Sequence, residues 1–287
     1  MVVGNTKGQI KAMSTSEGRV FYRYWNSDRR AGILIHLHGL ESHSGWFPES
    51  AETLSEHGYQ VYAPDRIGSG LSEGARGSVS SWRVWLRHVR ALTQIAKHEN
   101  PGAPLFIVAS CWAAKVGLEL ALTAPEEIDG LALIAPALKP RVHLSLLDRL
   151  KLIAALPFDP EMRFSIPIER DTMFTDEILY SDLIGRDHLR LRQATARFLA
   201  ESWRLDRRIL RRLRTLTVPT LVFLAERDEI VDTPAVRALL QRSCADHITL
   251  RLFSSACHSM EFGQWHQPLC NEMIRWLRSP RSLQPLT

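Results

Sequence analysis

The stretch FIVASCWAAK, residues 106–115, decides the fold. Its first half is a run of β-branched and aromatic residues, the composition of a buried strand, and its second half opens an apolar helix. Between them stand Ala109, Ser110, Cys111, Trp112 and Ala113. A small residue two positions before and two positions after a reactive side chain marks a sharp strand-to-helix turn. Such a turn holds a nucleophile clear of its neighbours at the positive end of the following helix. Cys111 occupies the nucleophile's position. Ser110 is the less favoured alternative, because that register puts bulky Trp112 where a small residue is needed. Both flanks are alanine rather than glycine, so the turn is expected to be more strained or more open. Free cysteine is commonly a small buried hydrophobe, and the decapeptide alone leaves that reading standing.

Working outward, short apolar runs alternate with helical patterns. Strands are expected at 19–26 (an early edge strand), 31–38, 59–63, 104–109, 129–135, 218–225 and 246–253. Helices are expected at 47–57, 81–98, 112–124, 233–242 and 265–277. This rhythm implies an α/β fold with a mostly parallel, doubly wound sheet. Residues 138–214 break it, with no comparable strand run and with helices expected near 143–155, 174–183 and 187–213. The reading is a core of residues 1–137 and 215–287 interrupted by a helical cap at 138–214.

The chain has 287 residues, 45% of them hydrophobic, and a formal net charge of +5, which suits a globular protein with a sizeable core. No apolar run is long enough to span a bilayer, and residues 1–20 lack the apolar core of a signal peptide, so a cytoplasmic location is the expectation. The four cysteines, Cys111, Cys244, Cys257 and Cys270, form no CxxC pair. That argues against a zinc site and against a disulfide framework.

A cysteine nucleophile needs a base, an orienting acid and donors for an oxyanion. LVFLAERDEIVD (221–232) offers Asp228 just beyond a strand, and SSACHSMEFG (254–263) offers His258 after the last one. The order nucleophile, acid, histidine is the one this turn calls for. Asp232, followed by Thr233 and Pro234, suits a helix N-cap better than Asp228 does. Backbone N–H donors are expected from Trp112 and from Leu40, in the loop HLHGLESHSGWF (36–47), where His38 and Gly39 support a close backbone approach.

On these residues the sequence resembles the α/β-hydrolases of the monoglyceride lipase and lysophospholipase type, also labelled serine aminopeptidase S33 or hydrolase-4. HGLESHSGWF is similar to that group's HGxxEHSxRY segment, and APDRIGSGLSEGARG resembles its D-x-R-G-H-G-x-S-x-G loop. The resemblance runs from about residue 18 to 278. It implies an α/β-hydrolase fold with a cap, and a Cys111–His258–Asp228 triad in which cysteine replaces serine. The implied activity is acyl transfer from an ester or thioester with an apolar acyl group, to water or to another acceptor, with no metal or organic cofactor. A catalytically silent binding module on the same fold is the alternative.

Residues 186–214 carry ten arginines against Asp187, Glu201 and Asp206. They form either a solvated helical face or a landing surface for an acyl carrier protein or coenzyme A. Nucleic acid is not indicated, because no recognised motif or aromatic interleaving accompanies them. Leu144, Leu147, Leu152, Ile153, Phe158, Met173, Phe174 and Leu179 are candidate walls of an acyl pocket, or ordinary helical packing.

Overall fold

Ten strands and eight α-helices follow one another among the described residues. The computed structural model describes residues 8–280, without the side chains of Cys244 and Ala245. In chain order the elements are β1 (Gln9–Thr15), β2 (Gly18–Trp25), β3 (Gly32–Leu37), α1 (Pro48–Glu56), β4 (Tyr59–Pro64), α2 (Trp82–Glu99), β5 (Leu105–Ser110), α3 (Ala114–Thr123) and β6 (Gly130–Ile134). The interrupting segment holds α4 (Leu146–Phe158), β7 (Arg163–Ser165), α5 (Ile178–Arg186), β8 (Gln193–Thr195) and α6 (Ala196–Arg212). The rhythm then resumes with β9 (Thr220–Ala225), α7 (Thr233–Cys244), β10 (Ile248–Phe253) and α8 (His266–Leu277).

Eight strands make one sheet in the order β1-β2-β4-β3-β5-β6-β9-β10. β4, β3, β5, β6, β9 and β10 are parallel, and β2 and β1 join antiparallel at one side. The strand at 19–26 was expected at the edge. Instead β1 pairs outside β2 and takes the edge. Its sequence QIKAMST is largely polar and solvent-facing, as an edge strand tolerates.

The central strands are buried on both faces, which explains their unbroken apolar runs. Along β5, Leu105, Ile107 and Ala109 point to one face with residues of α2, α3 and α7. Phe106 and Val108 point to the other, with α1 and α8. The result is a three-layer sandwich with helices on both sides of the sheet. Trp276 of α8 is fully buried, packs edge-to-face on Phe106 at 6.1 Å, and lies over Gly130, where a Cβ would sit 2.7 Å from the indole.

The segment between β6 and β9 differs from expectation at one helix. The helix expected at 187–213 begins at Ala196, because Thr195 caps it by accepting from the Phe198 N–H at 3.2 Å, and the residues before it run extended through β8. α6 lies against α2 and α3. α4 instead turns an apolar side outward, and Phe158 is 89% exposed. No helix among the described residues is long and apolar enough to cross a membrane.

Candidate active site

Strand β5 ends at Ser110, and the next residue turns the chain sharply. Cys111 has φ +54, in the left-handed region that a side chain rarely adopts. A single 3-10 turn, Cys111–Ala113, then leads into α3. The Cys111 carbonyl accepts from the N–H of Ala114 and, at 3.1 Å, from that of Ala137. The turn forms with alanine on both flanks because the needed space comes from elsewhere. Gly117, one turn into α3, faces β5 directly: a Cβ there would stand 3.3 Å from Ala109 Cβ and 2.9 Å from Leu131 Cδ1. The missing methyl lets helix and strand close up over Ala109.

His258 follows β10 and is buried. Its Nδ1 donates to Asp228 Oδ2 at 2.8 Å. Asp228 lies beyond β9, and its Oδ1 accepts from the N–H groups of Ile230 and Val231, both at 2.8 Å. With Nδ1 so used, Nε2 is the ring nitrogen left for Cys111, whose side chain interacts with the ring. Burial alone would keep the imidazole neutral, but Asp228 and Cys111 beside it outweigh this and hold its pKa well above the usual 6.5. Asp232 takes the separate capping role, accepting from the Ala235 N–H at 3.0 Å at the start of α7.

Leu40 and Gly39 line the same narrow cavity as Cys111 and His258. A Cβ on Gly39 would lie 3.3 Å from Cys111 Cβ, so glycine lets the loop approach the turn closely. His38 is buried, its Nδ1 donating to the Gly39 carbonyl at 2.8 Å and its Nε2 accepting from the Arg66 N–H at 2.9 Å. Burial and the Arg66 charge hold His38 well below the usual imidazole range, which matches a neutral ring that both donates and accepts. Trp112 is buried, edge-to-face with Trp85 at 4.7 Å, and its indole N–H donates to Ser202 Oγ at 2.9 Å. The structure therefore gathers Cys111, His258, Asp228, Leu40, Trp112, His38 and Gly39 into one neighbourhood.

A second buried polar group stands beside the turn, one that sequence reasoning missed. Ser110 Oγ donates to Glu261 Oε2 at 2.9 Å, and His36 Nε2 lies 3.0 Å from Glu261 Oε1. These three join the end of β5, strand β3 and the loop that carries His258. The signals were weak because Ser110, His36 and Glu261 lie far apart in the chain.

The interrupting segment holds each limb of the site. Ser259 N–H donates to the Phe174 carbonyl at 2.8 Å, beside His258. Arg190 and Glu41 form a buried ion pair at 2.5 Å, next to Leu40. Phe174 and Ile168 line the cavity. Of the apolar residues considered as pocket walls, Phe174 has that place. Met173 is in the core, Leu144 and Leu152 pack around Phe164, and Leu147, Ile153, Phe158 and Leu179 face solvent. The arginine-rich face is largely occupied within the chain. Arg190, Arg197, Arg204, Arg208 and Arg212 pair with carboxylates, Arg192 donates to the Gly185 carbonyl, and Arg207 lies over Trp203.

The strand order, the parallel core and the turn after β5 define the class: this is an α/β-hydrolase fold. Residues 28–263 match the family described as serine aminopeptidase, S33 (Hydrolase_4), and the chain belongs to that family. It is 27% identical over 269 residues to the human monoglyceride lipase, covering 90% of this chain and 86% of the human one. It is 22% identical over 294 residues to the monoacylglycerol lipase of Mycolicibacterium smegmatis, covering 97% of this chain and 99% of that one. Among solved structures, a soluble variant of the Saccharomyces cerevisiae monoglyceride lipase in complex with a substrate analog superposes with a TM-score of 0.84 at 16% identity. It covers 99% of this chain and 98% of the yeast chain.

Proposed function

We propose that the protein hydrolyses carboxylic esters bearing an apolar acyl group through a covalent acyl-thioester on Cys111. The observation that carries this is Cys111 at the left-handed turn between β5 and α3, φ +54, lining one cavity with an imidazole that Asp228 braces from behind. The names of the lipase relatives support an ester substrate, and the apolar walls Phe174, Ile168 and Ile134 support an apolar acyl chain.

His258 Nε2 takes the proton from Cys111 Sγ, and the sulfur attacks the ester carbonyl carbon. The carbonyl π electrons move onto oxygen, which receives the N–H groups of Leu40 and Trp112. The tetrahedral adduct collapses, the C–O bond to the alcohol breaks, and the alcohol leaves with the proton from His258. A water then gives its proton to His258 and attacks the thioester carbonyl. Collapse releases the acid and returns the proton to the sulfur. Asp228 holds the Nδ1–H tautomer and stabilises the imidazolium. In this scheme residues 138–214 cap the cavity.

Thioester donors and alcohol or amine acceptors suit the same intermediate, since a thioester retains enough energy for transfer. The test is intact-mass analysis after mixing with p-nitrophenyl esters and acyl thioesters, with and without an alcohol or amine. The expected result is one acyl group on Cys111, absent in Cys111→Ala and slower to form in His258→Ala, with free acid as the main product. Transferred ester or amide in excess over acid assigns the enzyme to acyl transfer instead. No adduct on Cys111 above the rate at Cys270 overturns the reading and leaves a binding module.

A further inference from the structure

Arg66 is half-buried in the loop after β4, and its guanidinium is spent on backbone carbonyls. Nη1 donates to the Gly39 carbonyl at 3.2 Å and Nη2 to the Leu40 carbonyl at 2.8 Å. The same guanidinium lies over the Trp112 ring at 4.5 Å and the Phe198 ring at 5.5 Å. Its Nε finds no acceptor. Desolvation pulls its pKa down to about 9, against the opposing pull of Asp65 and Cys111 nearby, so it stays charged at neutral pH. One half-buried cation thus touches the two segments whose N–H groups are assigned to the oxyanion.

The peptide plane turns this contact into a direction. The Gly39 carbonyl and the Leu40 N–H belong to one planar trans peptide and point opposite ways. That carbonyl is held from two sides, by Arg66 Nη1 and by His38 Nδ1. With the oxygen fixed toward Arg66, the Leu40 N–H must face away from it, and Gly39 of the same peptide lies against Cys111. Two donors on the oxygen also polarise the peptide and strengthen its N–H as a donor. On the second segment, cation–π contact presses the Trp112 ring into place, and the backbone N–H of Trp112 goes with it.

We infer that Arg66 is the positioning residue of the oxyanion site, setting the Leu40 and Trp112 N–H groups before any substrate arrives. This rests on the acyl-enzyme reading above. It makes a claim that mere loop stabilisation does not: Arg66 serves reactions that build charge on oxygen and is dispensable to those that do not.

Two reactions of the same sulfur separate these roles. Acylation by p-nitrophenyl butyrate passes through an oxyanion. Alkylation by iodoacetamide is a direct displacement at carbon and forms none. Both rates are measured at Cys111 by peptide mass in the wild type, Arg66→Met and Arg66→Lys, with thermal unfolding as the check on folding. Arg66→Met is expected to lose acylation by about 10²-fold or more while alkylation stays within about five-fold. Arg66→Lys keeps the charge but offers a point donor in place of the two-pronged fork, so it recovers part of the loss. Equal falls in both rates, or acylation within about five-fold of wild type in folded Arg66→Met, overturn the inference. Should Arg66→Met not fold, Arg66→Lys must by itself slow acylation at least about tenfold more than alkylation, or the inference fails. A wild type that is alkylated but never acylated at Cys111 refutes the acyl-enzyme reading itself, and the inference falls with it.

Discussion

Replacing Gly117 with alanine puts a methyl where the turn at Cys111 has no room. In an ordinary helix interior this change stabilises by about 1 kcal/mol. Here the new Cβ stands 2.9 Å from Leu131 Cδ1 and 3.3 Å from Ala109 Cβ. Leu131 is fully buried, so it cannot swing into solvent. Overpacking of this kind costs about 1–3 kcal/mol, so Gly117→Ala should be destabilising by about 0–2 kcal/mol net. Ala109→Gly alone loses a buried methyl and gains chain entropy in the unfolded state, a cost of about 1–2 kcal/mol. Combined, the two changes move the methyl from strand to helix and relieve the Ala109 clash. The double variant should be more stable than the sum of the singles by about 1 kcal/mol. Urea midpoints at constant slope measure this, and the alkylation rate of Cys111 reports the turn itself. Additivity within about 0.3 kcal/mol, or a Gly117→Ala variant stabilised by the full helix-propensity gain, refutes the claim that Gly117 makes room for the turn.

Asp228→Asn keeps an acceptor for Ile230 and Val231 but withdraws the charge behind His258, and should cut ester turnover by about 10³–10⁴-fold, read as p-nitrophenolate release. Because the folded-state pKa of His258 lies above its usual 6.5, its contribution to stability is full below that value and is lost as pH rises through the raised one. The melting-temperature advantage of wild type over His258→Gln should therefore be largest near about pH 6 and shrink toward alkaline pH, and a gap that widens with pH contradicts the sign. Arg190→Met leaves Glu41 buried without its partner and should cost about 3–5 kcal/mol in denaturant unfolding, with a cost below about 1 kcal/mol showing that water reaches the site.

What the chain announces about itself depends on how local each signal is. The turn at Cys111 is written in ten contiguous residues, and the buried parallel strands are written in runs such as ILIHL and LVFLA, so the core was legible. Asp228 and His258 were legible because strand ends mark where such residues fall. β1 was not, because QIKAMST pairs on one side only and has little apolar content to declare it. Gly117 was not legible, since its reason lies across a contact with Ala109. Arg66 was not legible either, since its reason is a pair of carbonyls some 26 residues earlier. The start of α6 was misplaced because arginine and leucine continue the helical composition on both sides of the Thr195 cap.

Three of the ties between residues 138–214 and the core have a consequence for exchange between relatives. Phe174 holds the chain beside His258, Ser202 holds the Trp112 indole, and Arg190 holds Glu41 beside Leu40. Transplanting this region whole from another protein would unseat the reacting groups unless those three handholds travelled with it. α4 carries none of them, so it is the stretch in which a redesign or a lineage is free to retune what approaches the cavity while the chemistry stays put.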